Sequence, residues 1–411
     1  MITLGIETSC DETALALIET KGSGADFECK VIASLVHSQA ELHSAYGGVY
    51  PNLAKREHSK NLIPLFHKLL IESQEALERI THSNSKNVSD AEFASAIESF
   101  KAEFASQNSD LFESFAGADF LKSIPPIDQI AVTEGPGLEP ALWVGITFAK
   151  MLSTLWKIPL IPVDHMEGHV IGSLLPSDAT NGAWQKLHPL PLPAIAFLIS
   201  GGHTELVKIA MGKGEGLGFE YKIIGQTKDD AVGEAFDKAA RLLGLPYPGG
   251  PHIARLAHEA HEEKIPSPVS LPRPMISSGD LDFSFSGLKT AVLYAVRKAA
   301  DEKGQLTDSF KKGLAHEFEM AVSDTLDSKL RAAIEKTGAQ AIIIGGGVSA
   351  NHVLRTRFEK TANEFTIPIY LPSRHISGDN ALMIALAGAF HPHTKTPGEI
   401  RALGTKRLSN D

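Results

Sequence analysis

The sequence predicts an α/β chain of two lobes, each built on a mixed sheet with helices on both faces. Three observations predict it. Two stretches share one pattern of apolar strand, small polar turn holding Thr and Glu, and returning apolar strand. One spans residues 2–18 around Glu7-Thr8-Ser9-Cys10-Asp11-Glu12-Thr13; the other spans 194–209 around Ser200-Gly201-Gly202-His203-Thr204-Glu205. Residues 127–155 read as strand, glycine-proline turn and buried helix, an α/β unit. Finally, the strand 341–344 meets Gly345-Gly346-Gly347 and a helix that begins near His352. The matched hairpins imply a duplicated unit, one per lobe. The expected divisions are 1–163, 164–371, and a segment 372–411 that returns to the first lobe.

The composition bounds the function. A chain of 411 residues can bury two sizeable cores. With 43% hydrophobic and 21% charged residues it reads as an ordinary globular protein, and no apolar run is long enough for a membrane span. The N-terminus enters a strand directly and carries no basic, apolar and small-residue signal pattern. Two cysteines, Cys10 and Cys29, make no disulfide framework and fit a reducing cytoplasm. A net charge of -10 argues against a broad grip on nucleic acid. Ten acidic and four basic residues between Glu72 and Lys122 carry much of that charge.

Taken in order, the first hairpin turn crowds hydroxyls and carboxylates that can face a phosphate and a metal. Cys10 has no cationic neighbour and reads as a small semi-buried residue. A strand at 33–39 and a Gly-Gly-Pro loop at 47–51 precede a helix at 52–73, apolar at Leu62, Leu65, Phe66, Leu69 and Leu70. Its start is basic at Lys55, Arg56, His58 and Lys60, usually a solvated face and otherwise a phosphate contact. Residues 79–123 read as an insertion of one or two peripheral helices with mobile ends, outside the catalytic machinery. Strands at 127–133 and 158–163 bracket a helix at 141–155. From the second strand leaves a helix with His165 and His169 four residues apart, on one face, where two imidazoles can hold one divalent metal.

Residues 176–193 read as a loop. After the second hairpin, Asp230, Glu234 and Asp237 share one helix face, which is costly without a cation or ligand hydroxyls. Pro248-Gly249-Gly250-Pro251 reads as a rigid turn, and 283–290 as a polar loop running into a helix. A long helix covers 309–336. Three glycines at 345–347 let backbone lie against a flat ligand such as adenine, and Asn351 can cap a helix or bond that ligand. Ser377-Gly378-Asp379-Asn380 precedes an apolar helix at 381–390, and the tail is basic at Lys395, Arg401, Lys406 and Arg407.

This layout resembles the actin/Hsp70/sugar-kinase superfamily, with a nucleotide expected between the lobes. The motifs Gly5–Thr13, His165-Met166-Glu167-Gly168-His169, Ser200-Gly201-Gly202-His203-Thr204, Gly233-Glu234-Ala235-Phe236-Asp237-Lys238, Phe283–Lys289 and Gly345–Asn351 together resemble the TsaD family of tRNA N6-adenosine threonylcarbamoyltransferases, once labelled O-sialoglycoprotein endopeptidases. Three features depart from the family pattern. Asp164 stands where many relatives have a third histidine, Ser377-Gly378 replaces a commoner Cys-Thr, and Glu139-Pro140 replaces small residues. The acidic insertion is also unusual.

The resemblance implies transfer of a threonylcarbamoyl group from threonylcarbamoyl-AMP to N6 of adenosine 37 in tRNAs reading codons that begin with A. It implies His165, His169 and Asp379 as ligands of one divalent metal per subunit, iron by expectation and zinc as the alternative. Leu198, Ile199, Ser200, Gly201, Gly202, Asp237, Gly250 and Asn351 would bind the adenylate. Asp11 and Glu12 are candidates to accept the N6 proton. The implied partners are tRNA, TsaB and TsaE, with TsaC upstream and no membrane. Two other readings compete. An ATP-binding chaperone-like module leaves the histidine pair unexplained. A metalloprotease needs its glutamate directly after the first histidine, whereas Glu167 lies roughly 200° round the helix from His165.

Overall fold

The computed structural model describes residues 1–80, 86–176, 182–212, 218–300, 305–390 and 395–409. The chain divides into two compact units: residues 1–40, 49–189 and 379–407 form unit 1, and residues 41–48, 190–378 and 408–411 form unit 2. This differs from the expected divisions at 163 and 371. The histidine helix and the strand after it stay with unit 1, because that helix packs on the apolar helix at the end of the chain.

Unit 1 begins with β1 (Ile2–Glu7), β2 (Glu12–Lys21) and β3 (Glu28–Ser38). The short α1 (Ala40–Ser44) leads out of it, and α2 (Pro51–Ile80) leads back. Then come β4 (Lys86–Asn87), α3 (Asp90–Phe104), α4 (Ser109–Ala116), β5 (Ser123–Ile124), β6 (Gln129–Gly135), α5 (Glu139–Trp156), β7 (Leu160–Asp164), α6 (His165–Gly172) and β8 (Trp184–Lys186). Unit 2 holds β9 (Ala194–Ile199), β10 (Thr204–Met211), β11 (Phe219–Gln226), α7 (Val232–Leu242), α8 (Gly249–Glu262), α9 (Ser286–Ala299), α10 (Asp308–Thr337), β12 (Ala341–Gly345), α11 (His352–Phe365) and β13 (Ile369–Tyr370). The last helix, α12 (Ala381–Phe390), belongs to unit 1.

The strand order of the first sheet is β7-β6-β1-β2-β3-β8, and that of the second is β11-β10-β9-β12-β13. With β8 set aside, both read fifth-fourth-first-second-third in one direction or its reverse. In each, the first three strands are antiparallel and the fourth runs parallel to the first. The duplicated plan expected from the two hairpins is therefore present at the level of pairing. β1 and β9 are central strands buried along their whole length, which accounts for the unbroken apolar sequence of β9 and the largely apolar one of β1, broken by Thr3 and Glu7.

Residues 79–123 depart from expectation. They are not peripheral: Phe93, Phe100, Phe104, Leu111 and Phe115 join the unit 1 core with Phe66 of α2 and Phe148 of α5. Phe115 stacks edge-on against both Phe100 and Phe148. A two-stranded ladder of β4 with β5 closes the segment, and Ser89 and Glu92 form a capping box at the start of α3. The acidic side chains lie on the outer face, so the charge pattern hid an apolar inner one. The expected mobile ends fall partly at 81–85, outside the described residues. Of the expected loop 176–193, residues 177–181 lie outside the described residues, and β8 pairs with β3 at Glu28 to Lys30. Among the described residues, no helix is long and apolar enough to cross a membrane.

Replacing Phe115 with Ala should remove part of this core and cost unit 1 about 3–5 kcal/mol, read as a lowered unfolding midpoint. An unchanged midpoint would mean that the segment is an appendage after all.

Candidate metal centre and nucleotide turns

The candidate metal centre is assembled from α6 and from the residues before α12. Asp164 caps α6, its side chain accepting from the N–H groups of Met166 (2.9 Å) and Glu167 (3.3 Å). Gly168 and Gly172 face α12; a Cβ at either would lie 3.0 Å from Ile384 or Met383. This close approach sets α6 beside the head of α12, where Asp379 precedes the Asn380 cap on Met383 N–H (3.0 Å). His165, His169 and Asp379 thereby converge, each offering one ligand atom within 4.8 Å of the others. The Nε2 atoms of His165 and His169 lie 3.3 and 3.2 Å from Asp379 Oδ1.

Behind this face, His165 Nδ1 meets Glu7 Oε2 at 3.0 Å and Ser9 Oγ at 3.2 Å. Glu7 is fully buried, and also accepts from Thr133 Oγ1 (2.6 Å) and from the Ser9 N–H. A carboxylate that takes one ring nitrogen fixes the tautomer and aims the other nitrogen outward. The donor set therefore fits a divalent cation: two imidazole nitrogens and a carboxylate oxygen converge, with the first ring braced from behind. Burial alone would push the His165 imidazolium down, but Asp379 and Glu7 outweigh it and hold its pKa well above the ordinary value. Burial likewise opposes ionisation of Asp379 and Glu7, and His165 nevertheless pulls both below the usual carboxylate range.

Asp11 and Glu12 lie at the turn between β1 and β2 and at the start of β2. Burial, then Asp11 and Asp379, push the Glu12 carboxyl well above its usual range. Burial and the same acidic neighbours also raise the Cys10 thiol, which keeps it from acting as a thiolate. Glu167 is not part of the ligand cluster.

The other candidates belong to unit 2. Leu198 and Ile199 are buried strand residues, so only their backbone can meet a ligand. Ser200 N–H donates to His203 O (2.9 Å), while Ser200 Oγ accepts from Gly202 N–H (3.3 Å) and His203 N–H (3.1 Å). The turn thus uses some of the N–H groups expected to face a ligand. Gly201 and Gly202 are exposed, with open space where a Cβ would stand. Gly346, at φ +90, passes so close to this turn that a Cβ would sit 2.4 Å from Ile199 O. The first and last glycine turns of unit 2 therefore lie together, and α7 packs against the short turn Gly347–Ala350.

Asp237 Oδ1 accepts from Gly249 N–H (2.7 Å), which places it beside Gly250, where a Cβ would meet nothing within 4 Å. Gly249 and Gly250 open α8 rather than forming a separate rigid turn. Asp230 and Glu234 do not need a metal: Lys238 Nζ lies 2.7 Å from each. Asn351 caps α11 through Leu354 N–H (3.0 Å) and donates to Glu319 Oε1 (2.7 Å). Burial pushes the Glu319 carboxyl up to about 7.

The basic stretches are largely engaged within the chain. Lys55 Nζ donates to Gln107 O (2.7 Å), while Arg56 and Lys60 face Glu57 at 3.6 and 2.9 Å. In the tail, Lys395 and Lys406 flank Glu134 at 3.1 and 2.9 Å. Sequence reasoning missed Glu7, Ser9, Thr133 and Glu319. A carboxylate ending an apolar central strand was the available signal for Glu7.

The family model for tRNA N6-adenosine threonylcarbamoyltransferase, TsaD, matches residues 30–82 and 116–386. The chain belongs to the TsaD family. A threonylcarbamoyltransferase of that name from Methylobacillus flagellatus is 40% identical over 390 residues, covering 95% of this chain and 92% of that one. A second, from Burkholderia vietnamiensis, is 39% identical over 391 residues, with the same shares of 95% and 92%. Among solved structures, the activator of 2-hydroxyisocaproyl-CoA dehydratase from Clostridium difficile aligns at 13% identity and a TM-score of 0.43, over 95% of this chain and 93% of that one.

The TsaD match skips residues 83–115, which lie within the stretch read as an insertion and hold α3 and most of α4. Asp164 is the α6 cap and stands outside the ligand cluster. Ser377 is buried and donates to Arg374 O (3.0 Å).

Two measurements check these electrostatics. The raised pKa of His165 means that its charge stabilises the metal-free fold below about 6.5, an advantage lost as pH rises through the raised value. A cation must displace that proton, so Zn²⁺ binding at neutral pH should release protons and tighten as pH rises. Calorimetry in buffers of different ionisation enthalpy reads this; heats independent of buffer would contradict it. Glu319 carries the same sign: its stabilising protonation is present below about 4.5 and lost as pH rises through about 7. Glu319→Gln should therefore stabilise unit 2 at pH 8 by up to about 3 kcal/mol and change little at pH 4.5. Urea unfolding at the two pH values tests it, and equal shifts at both would contradict it.

Proposed function

We propose that this protein transfers a threonylcarbamoyl group from threonylcarbamoyl-AMP to N6 of adenosine 37 in tRNAs reading codons that begin with A. The observation that carries the reading is the convergence of His165, His169 and Asp379, with Glu7 bracing His165, in a chain of the TsaD family. In the reaction the N6 amine attacks the carbamoyl carbon. A C–N bond forms, the bond from that carbon to the AMP phosphate oxygen breaks, AMP departs, and the amine loses one proton.

We assign the cation to His165, His169 and Asp379, with iron the metal proposed and zinc the alternative. When bound, such a cation binds an anionic oxygen and polarises a carbonyl. Glu7 and Ser9 orient His165 for this task. The adenylate is assigned to Leu198, Ile199, Ser200, Gly201, Gly202, Asp237, Gly250 and Asn351. The exposed Gly201-Gly202 peptide admits a phosphate or acyl group, Asp237 accepts from ribose hydroxyls, and Asn351 with the triple-glycine turn holds adenine. Asp11 and Glu12 are the candidate acceptors of the N6 proton.

The acidic balance and the engaged lysines support a chain that shares tRNA binding with partners. TsaB and TsaE are the proposed partners and TsaC the proposed source of the adenylate, in the cytoplasm. Mixing the protein with TsaB, TsaE, threonylcarbamoyl-AMP and unmodified tRNA, then digesting the tRNA to nucleosides, should yield threonylcarbamoyladenosine. None above background would sink this reading.

A further inference from the structure

The turn between β1 and β2 is held by its backbone carbonyls, each tied to a different element. Ser9 O accepts from Leu138 N–H before α5 (2.7 Å), and Asp11 O from Gln39 N–H after β3 (2.9 Å). Between them, Cys10 O faces His58 Nε2 of α2 at 3.0 Å. Cys10 O is the one of the three tied by a side chain.

His58 is fully buried on the face of α2 that also carries Leu62, Phe66 and Leu69. Its other nitrogen, Nδ1, lies 2.7 Å from Thr13 Oγ1 and 3.2 Å from Gln39 Nε2. A carbonyl has no proton to give, so Nε2 carries the hydrogen toward Cys10. Nδ1 then receives from the Thr13 hydroxyl and the Gln39 amide. Three partners fix one neutral tautomer and one ring plane, and α2 and β2 hold the ring at both edges.

The turn that depends on this contact serves the metal centre. Ser9, one residue before Cys10, reaches His165 Nδ1 and binds Glu7 through its N–H. Asp11 and Glu12 follow, and Asp379 is close enough to raise the Glu12 carboxyl. We propose that His58 is a positioning residue of the metal centre: by holding the Cys10 carbonyl it keeps Ser9 and Glu7 against His165, so that His165 Nε2 stays aimed at the cation. This rests on the assignment of His165, His169 and Asp379 as cation ligands.

The test uses the full chain with Co²⁺ as probe, whose visible d–d absorption reports ligand geometry. His58→Ala should weaken Co²⁺ binding about 10–100-fold, as loss of outer-shell support does elsewhere, and alter the absorption bands. His58→Gln, whose side-chain N–H can reach the same carbonyl, should restore most of the affinity and the parental spectrum. A merely structural histidine would change the melting temperature without this spectroscopic change or its rescue. Thr13→Val removes a donor to Nδ1 and should weaken Co²⁺ severalfold, which keeps the test open if His58→Ala fails to fold. Folded His58→Ala, or folded Thr13→Val, with parental affinity and spectrum would overturn the proposal. A parent chain that binds no Co²⁺, or a His165→Ala variant that binds it as well as the parent, would instead overturn the ligand assignment.

Discussion

The rest of unit 1 depends on the buried line from Glu7 through His165 to Asp379. Charges out of water are costly unless each has a partner and further hydrogen bonds, and stranding one typically costs about 3–5 kcal/mol. Here each member comes from a different element: Glu7 ends β1, His165 opens α6, and Asp379 stands before α12. The line can form only when all three are in register. Thr133, Ser9 and His169 supply the additional hydrogen bonds. The candidate cation site is therefore assembled from parts distant in the chain, and Asp379 also orients the second imidazole, His169.

Unit 2 solves a different problem with the same strand order. Its candidate surface is made mainly of backbone at glycine turns, with few charges left unpaired. Lys238 neutralises Glu234 of α7 and Asp230 just before that helix, and Asp237 is held by the start of α8. Such a surface suits a flat, hydrogen-bonding ligand, because bare backbone approaches closely and presents fixed dipoles. The duplication thus placed two chemistries on one sheet plan: side-chain donors in unit 1 and exposed peptide groups in unit 2.

Most of the fold was legible because its signals are local. Residues 2–18 and 194–209 showed their hairpins through apolar runs around small polar turns, and the apolar stretch before His165 marked β7. The His165/His169 spacing was readable for the same reason. Contacts distant in sequence were not. Nothing near Phe100 or Phe115 says that Phe115 meets Phe148 or that both join one core with Phe66, so an acidic exterior at 79–123 suggested an appendage. Glu7 looked like a hairpin residue, because its partner His165 lies 158 positions away. His58 was read with its basic neighbours, although its spacing from Leu62 and Phe66 already put it on the buried face. Asp379 entered through family resemblance, and its place beside α6 depends on the packing of Gly168 and Gly172 against α12.

In the proposed centre two imidazoles and one carboxylate hold the metal, with Glu7 outside the coordination sphere. X-ray absorption fine structure at the metal edge of the iron- or zinc-loaded chain tests it most directly. The expected result is a first shell of nitrogen and oxygen only, with the outer-shell scattering of two imidazole rings, unchanged in Glu7→Gln apart from weaker metal retention. A sulfur scatterer, a single imidazole, or a first shell that loses a ligand in Glu7→Gln would contradict it.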